Sequence, residues 1–171
     1  MARFELDPAF VKLHEAAGGQ IGETERGLLL HNQAAMSYVV SDVDGVFRVG
    51  ISEKHEEPRE YCAGSDLVAV QRQLVAEVGS TYRSFQRMQR IALPWREDEV
   101  KDGYTVIPVD DYGFTLERSD GSRVPFAARS DSSSAIVRYS HVADLPIGDL
   151  VASYMDPSAY PLFPYFLKTG F

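Results

Sequence analysis

With 171 residues, 44% of them hydrophobic, and nineteen aromatics (nine Phe, nine Tyr, one Trp), the chain can bury the core of one medium-sized domain without staples. Its single cysteine, Cys62, excludes an internal disulfide framework and a cysteine-rich zinc site. The balance of 25 acidic against 17 basic residues, a net charge of −8, repels phosphate backbones at long range and disfavours nucleic-acid binding.

Asp7-Pro8 opens a helix over 8–17: Asp caps the free amides, and Pro at the first helical position loses no hydrogen bond. Phe10, Leu13 and Ala17 share one face, and Gly18-Gly19 ends the helix. From Arg26 the period changes. Leu28-Leu29-Leu30 is a short apolar run, and Met36, Tyr38 and Val40 alternate with polar or outward residues. Phe47, Val49 and Ile51 do the same, so Asp42-Val43-Asp44-Gly45 joins two strands as a hairpin turn. Residues 53–58 read as a solvated loop and Arg59–Cys62 as another strand.

Ser65-Asp66 caps a second helix, with Leu67, Val70, Leu74 and Val78 buried and Gly79 closing it. Tyr82, Phe85 and Met88 then look helical among Arg83, Arg87, Arg90 and Arg96, the most basic stretch of the chain. Mixed Arg and aromatics can bind single-stranded nucleic acid, but a helix with a basic face packed on an acidic body fits this chain better. Tyr104–Ile107 begins a second block of strands, and Phe114–Glu117 pairs with Arg123–Ala128 across Ser119-Asp120-Gly121-Ser122. Ser130–Ser134 is expected to be a polar turn and Ala135–Tyr139 a strand. Ile147, Leu150, Val151 and Tyr154 form a last amphipathic helix, stopped at Asp156-Pro157. The proline-broken segment 160–167 is expected to lie extended against the body.

The second block faintly echoes the first. Tyr38, Val40, Asp44-Gly45, Leu74 and Val78 align with Phe114, Leu116, Asp120-Gly121, Leu150 and Tyr154, an offset of 76 residues from Tyr38 to Phe114. The fold class expected is α+β, mainly antiparallel sheet in two related strand-then-helix blocks with helices packed on one side. Residues 1–171 form one domain, with a possible internal duplication over about 26–80 and 103–156.

Candidate chemistry is sparse. His14, His31, His55 and His141 fall in four local contexts, so no His-rich metal face is visible, and no metal site is assigned. Asp42-Val43-Asp44-Gly45 fails as a calcium loop because Val40 would occupy its first ligand position. Ser130-Asp131-Ser132-Ser133-Ser134 lacks a G-x-S-x-G elbow and a nearby base, and Cys62 has no histidine beside it. Gly18-Gly19-x-x-Gly22 follows a helix, the wrong order for cradling phosphate. No catalytic residue and no cofactor are assigned.

The order of pieces carries a resemblance. Phe4-Glu5-Leu6-Asp7-Pro8 leads into a helix ending Ala-Ala-Gly-Gly, and a strand with Leu30-His31-Asn32 follows. Then come a Tyr38-containing strand, Asp44-Gly45, the Ser65-Asp66 helix, Tyr82-Arg83 and Leu93-Pro94-Trp95. Over residues 4–95 this resembles the family of bacterial immunity proteins that includes the immunity factor for the tuberculosis necrotizing toxin. The resemblance implies a cytoplasmic antitoxin, a monomer when free, that binds its cognate NAD⁺ glycohydrolase toxin one to one and blocks it without catalysis. The acidic charge suits that expectation, since a pocket for an anionic dinucleotide tends to be positive. Met1–Asp7 has no apolar leader core, and no run reaches about 18 apolar residues, so neither export nor a membrane partner is expected. Two alternatives stay open: a small-ligand-binding or enzymatic α+β domain, and an acidic secretion-system chaperone or adaptor.

If the chain binds a partner, loops are the first place to look. Asp110-Asp111-Tyr112-Gly113 joins two carboxylates, an aromatic anchor and a flexible glycine, and Asp42 and Asp44 on the other hairpin come second.

Overall fold

The computed structural model describes residues 4–32, 36–53 and 56–168. Helix α1 (Pro8–Ala16) starts where Asp7 Oδ1 accepts the Ala9 amide at 2.8 Å, and it buries Phe10, Leu13 and His14. Five strands follow: β1 (Gln20–Thr24), β2 (Gly27–His31), β3 (Met36–Val43), β4 (Val46–Glu53) and β5 (Arg59–Gly64). After helix α2 (Leu67–Phe85) and the short β6 (Arg90–Ile91) come β7 (Tyr104–Val109), β8 (Gly113–Arg118) and β9 (Arg123–Arg129). Helices α3 (Ser133–Ser140) and α4 (Ile147–Met155) and the short β10 (Leu167–Lys168) complete the order.

Eight strands form one antiparallel sheet in the order β1-β2-β3-β4-β5-β9-β8-β7, and β10 pairs with β6 as a separate ribbon. The register makes one face of the sheet the core. Leu28, Val40, Val49, Cys62 and Ala128 stand opposite one another across five strands, and all are buried. Paired residues of an antiparallel ladder point to the same side, so this row is what the helices cover. Helix α2 lies over β4, β5 and β9, α3 lies over β7 to β9, and α4 packs on α2. The Phe126 ring stacks on Tyr139 of α3, centroids 3.8 Å apart. The fold is thus α+β with its helices on one side, as the strand and helix periods predict.

Besides β1, which the sequence reading did not assign, three segments differ from it. Residues 130–140 are a single turn of 3₁₀ helix running into α3, where a polar turn and a strand were expected. The alternation Ala135, Val137, Tyr139 fits a strand, but the segment is helical and wedged between layers, so Ile136 and Ser140 are buried as well. Helix α2 does not close at Gly79. It continues to Phe85, because Gly79 is where the Tyr154 ring of α4 lies against it, and a Cβ there would meet Tyr154 Cγ at 2.3 Å. Finally, 160–168 is only partly extended: Pro164–Phe166 form a 3₁₀ turn, and Leu167 pairs with Ile91.

The basic stretch after Val78 serves the core at one point. Arg83 is buried, and its guanidinium donates to the carbonyl oxygens of Gln89, Tyr154, Asp156 and Pro157 at 2.6–3.1 Å. It closes the C-terminal end of α4, where backbone acceptors lack helical partners.

The echoed residues occupy like environments: Val40 and Leu116, and Leu74 and Leu150, are fully buried, and Gly45 and Gly121 both take positive φ in hairpin turns. The two meanders nonetheless run in opposite senses. From β5 outward the order is β4-β3-β2 on one side and β9-β8-β7 on the other, and β4 and β9 are parallel because both are antiparallel to β5. No rotation superposes them while the helices stay on one face. The echo is a repeat of local pattern, and the meanders are not copies of one rigid unit.

Candidate partner-binding surface

The sheet face away from the helices is left uncovered, and the sequence builds a shallow trough into it. Arg48, Ala63, Ala127 and Thr115 stand in register across β4, β5, β9 and β8. Two small side chains in the middle of that row keep the floor low. A hollow of about 380 Å³ opens there, walled by Val46, Arg48, Tyr112 and Pro125. A second hollow of about 230 Å³ lies beyond Arg48, bounded by Arg26, Glu57 and Glu60. Ion pairs rim the face: Arg48–Glu60 at 3.1 Å, and Arg26–Glu57. An apolar floor with a polar rim is the ordinary build of a protein interface.

The β7–β8 hairpin brings Asp110, Asp111, Tyr112 and Gly113 to this face. Val109 pairs with Gly113, and Asp110 takes a left-handed φ of 39° so that the chain can reverse. The Asp110 and Asp111 carboxylates stay exposed. Gly113 is packed so closely on β9 that a Cβ would meet the Ala128 carbonyl oxygen at 2.1 Å. Tyr112 does not project as a free anchor. Its ring lies under the Arg129 guanidinium, 5.0 Å from carbon to centroid, and its hydroxyl is buried without a hydrogen-bond partner among the described residues. Burial first, and then the Glu60 carboxylate, push the phenol pKa up. The Glu60 carboxylate is within reach of this hydroxyl, so a group arriving at the face competes with it for the proton. The Nε of Arg48 is likewise buried without a hydrogen-bond partner among the described residues.

Asp42 and Asp44 are elsewhere. Their turn, Asp44-Gly45, extends past the Phe47–Gly64 end of the sheet, whereas Gly113 stands opposite Arg129 at the other end. Asp42 Oδ1 accepts the Gly45 amide at 2.9 Å and so shapes its own turn. The two acidic loops therefore belong to different ends of the molecule and cannot form one compact patch. Sequence reasoning missed Arg48, Glu60 and Arg129. Their alternation with apolar strand residues was visible, but not that three strands would place them beside Tyr112.

The groups weighed for chemistry lie apart from this face. His14 and His141 bond the carbonyl oxygens of Gln20 and Glu99, and burial lowers both pKa values. His31 meets Ser37 Oγ at 2.8 Å, and His55 lies outside the described residues. The Cys62 thiol is buried, which pushes its pKa well up. Among the described residues no three His, Cys, Asp or Glu side chains are grouped to hold a metal ion. No helix in them is long and apolar enough to cross a membrane.

Residues 13–162 match the sequence profile of the family described as Immunity protein 61. The chain belongs to that family. Its members are immunity proteins, so an antitoxin role follows at that level, in a family generally without enzymatic activity. Rv3902c from M. tuberculosis shares the fold, with a TM-score of 0.79 over 93% of this chain and 94% of that one, at 18% identity. No significant match occurs among curated protein sequences.

Proposed function

We propose that this immunity protein neutralises a cognate NAD⁺ glycohydrolase toxin in the cytoplasm by binding it one to one over the uncovered sheet face and covering its dinucleotide pocket. Membership of the immunity family over residues 13–162 carries the reading. The enzyme class of the toxin rests on the resemblance of residues 4–95 to the immunity factor of the tuberculosis necrotizing toxin. The charge supports it: a chain at −8 is steered toward a pocket that must attract a dinucleotide anion.

The test is NAD⁺ consumption by the cognate toxin titrated with this protein. Turnover is expected to fall linearly and vanish at a one-to-one ratio. Toxin activity that persists in excess protein removes the proposal, and growth protection without an effect on NAD⁺ redirects it to another toxin chemistry.

A further inference from the structure

A second concavity lies on the helix side, between α2, α3 and the β6–β10 ribbon. It holds about 570 Å³, within the range of small-molecule sites, and owes nothing to the sheet face described above. Three elements send cations to it: Arg90 from β6, Arg138 from α3 and Lys168 from β10. Arg90 and Lys168 are direct partners across the ribbon. Like charges in that position destabilise a strand pair unless an anion lies between them. No side chain of the three has an ion pair or hydrogen bond among the described residues, whereas those of Arg26, Arg48, Arg59, Arg96 and Arg118 all do.

The inner wall has the opposite chemistry. Gln73 is 1% exposed, and its amide nitrogen donates to Glu77 Oε1 at 3.0 Å and to the Tyr61 hydroxyl. Those two bonds fix the amide orientation, since a flip would set its oxygen against a carboxylate. Gln73 Oε1 is buried with no hydrogen bond among the described residues, and Glu77 lines the cleft beside it. The Glu77 carboxylate gives the wall an acceptor for a donor group. At the rim stands Trp95, the sole tryptophan, 57% exposed. A large exposed ring and three cations without side-chain partners thus converge on one cleft.

We propose that this cleft binds a small phosphorylated nucleoside. Arg90, Arg138 and Lys168 take the phosphate, whose several oxygens match the fork of arginine. Trp95 offers its face to the base, and Glu77 accepts from a ribose hydroxyl or exocyclic amine.

The sole tryptophan makes the test direct. The free protein is titrated with adenosine 5′-monophosphate, inorganic phosphate and adenosine at low salt, reading Trp95 fluorescence. The nucleotide is expected to give a saturable change with Kd below about 1 mM, and phosphate or adenosine alone to bind at least about tenfold more weakly. Arg138→Gln and the pair Arg90→Gln with Lys168→Gln are each expected to weaken it at least about tenfold while the melting temperature is kept. No saturation, equal affinity for phosphate or adenosine alone, or wild-type affinity in both variants overturns the proposal. Loss of toxin binding in Arg138→Gln without nucleotide binding also overturns it and gives the cleft to an acidic protein segment. No toxin enters the titration, so its outcome is independent of the neutralisation assay.

Discussion

The Arg83 guanidinium is a charge used as structure. It is almost fully buried, yet each of its carbonyl partners comes from the chain's own backbone, three of them at or beyond the end of α4. Arg83→Met keeps the stem and strands those acceptors, so it is expected to cost about 3 kcal/mol in urea unfolding. An unchanged midpoint would mean the acceptors find other donors. His14 makes a pH prediction of definite sign. Its Nε2 faces the Gln20 carbonyl at 3.2 Å and must carry the proton, while Nδ1 is buried without a hydrogen bond among the described residues. Burial lowers its pKa below the ordinary 6.5, so the unfolded chain binds more protons than the folded one. The stabilisation is complete above pH 6.5 and is lost as pH falls through the lower folded value. Melting temperature is expected to drop between pH 7.5 and 5, and less steeply in His14→Gln. Parallel profiles in the two proteins would place the titration elsewhere.

Helix α2 is the element on which the rest of the helix layer is assembled, and Gly79 is its contact point. Alanine is the better helix former by about 1 kcal/mol, yet a Cβ here would lie 2.3–2.8 Å from three atoms of Tyr154. Gly79→Ala is therefore expected to destabilise by about 1–3 kcal/mol, with the overpacking outweighing the propensity. A stabilised variant would show that α4 shifts freely. The same glycine shows why the sequence reading stopped the helix too early: a helix-ending residue and a helix-crossing residue look alike until the partner ring is known. Alternation made β3, β4, β8 and β9 legible because one face of each is core and the other is not. It failed for β1, whose side chains are nearly all exposed, so no apolar period exists to be read. It misled at α3, where burial on more than one side erased the helical period. At the candidate surface, the Asp110–Gly113 loop was legible as a turn with an aromatic. The side chains that receive Tyr112, Glu60 and Arg129, come from β5 and β9, a non-local meeting that no local pattern encodes.

At the scale of the whole molecule, an overall charge of −8 is distributed unevenly. On the uncovered sheet face Arg26 and Arg48 are paired with Glu57 and Glu60, the helix side holds three cations without a side-chain partner, and Asp110 and Asp111 are exposed at the tip of the β7–β8 hairpin. Long-range attraction to a basic partner therefore comes from the net charge and from exposed tips such as this one, whereas close contact falls to the trough and to Tyr112. The two contributions separate kinetically. Exposed carboxylates act mainly during approach, so Asp110→Asn with Asp111→Asn is expected to slow toxin association severalfold and flatten its dependence on salt, with dissociation little changed. Tyr112→Phe removes only the hydroxyl. If a toxin group satisfies that hydroxyl in the complex, the variant is expected to dissociate about tenfold faster at an unaltered association rate. Tyr112→Ala would also undo the Arg129 contact and confuse the two effects, so phenylalanine is the cleaner change. Stopped-flow mixing at two salt concentrations reads both constants. Wild-type constants in all these variants would move the interface off the trough and away from the hairpin.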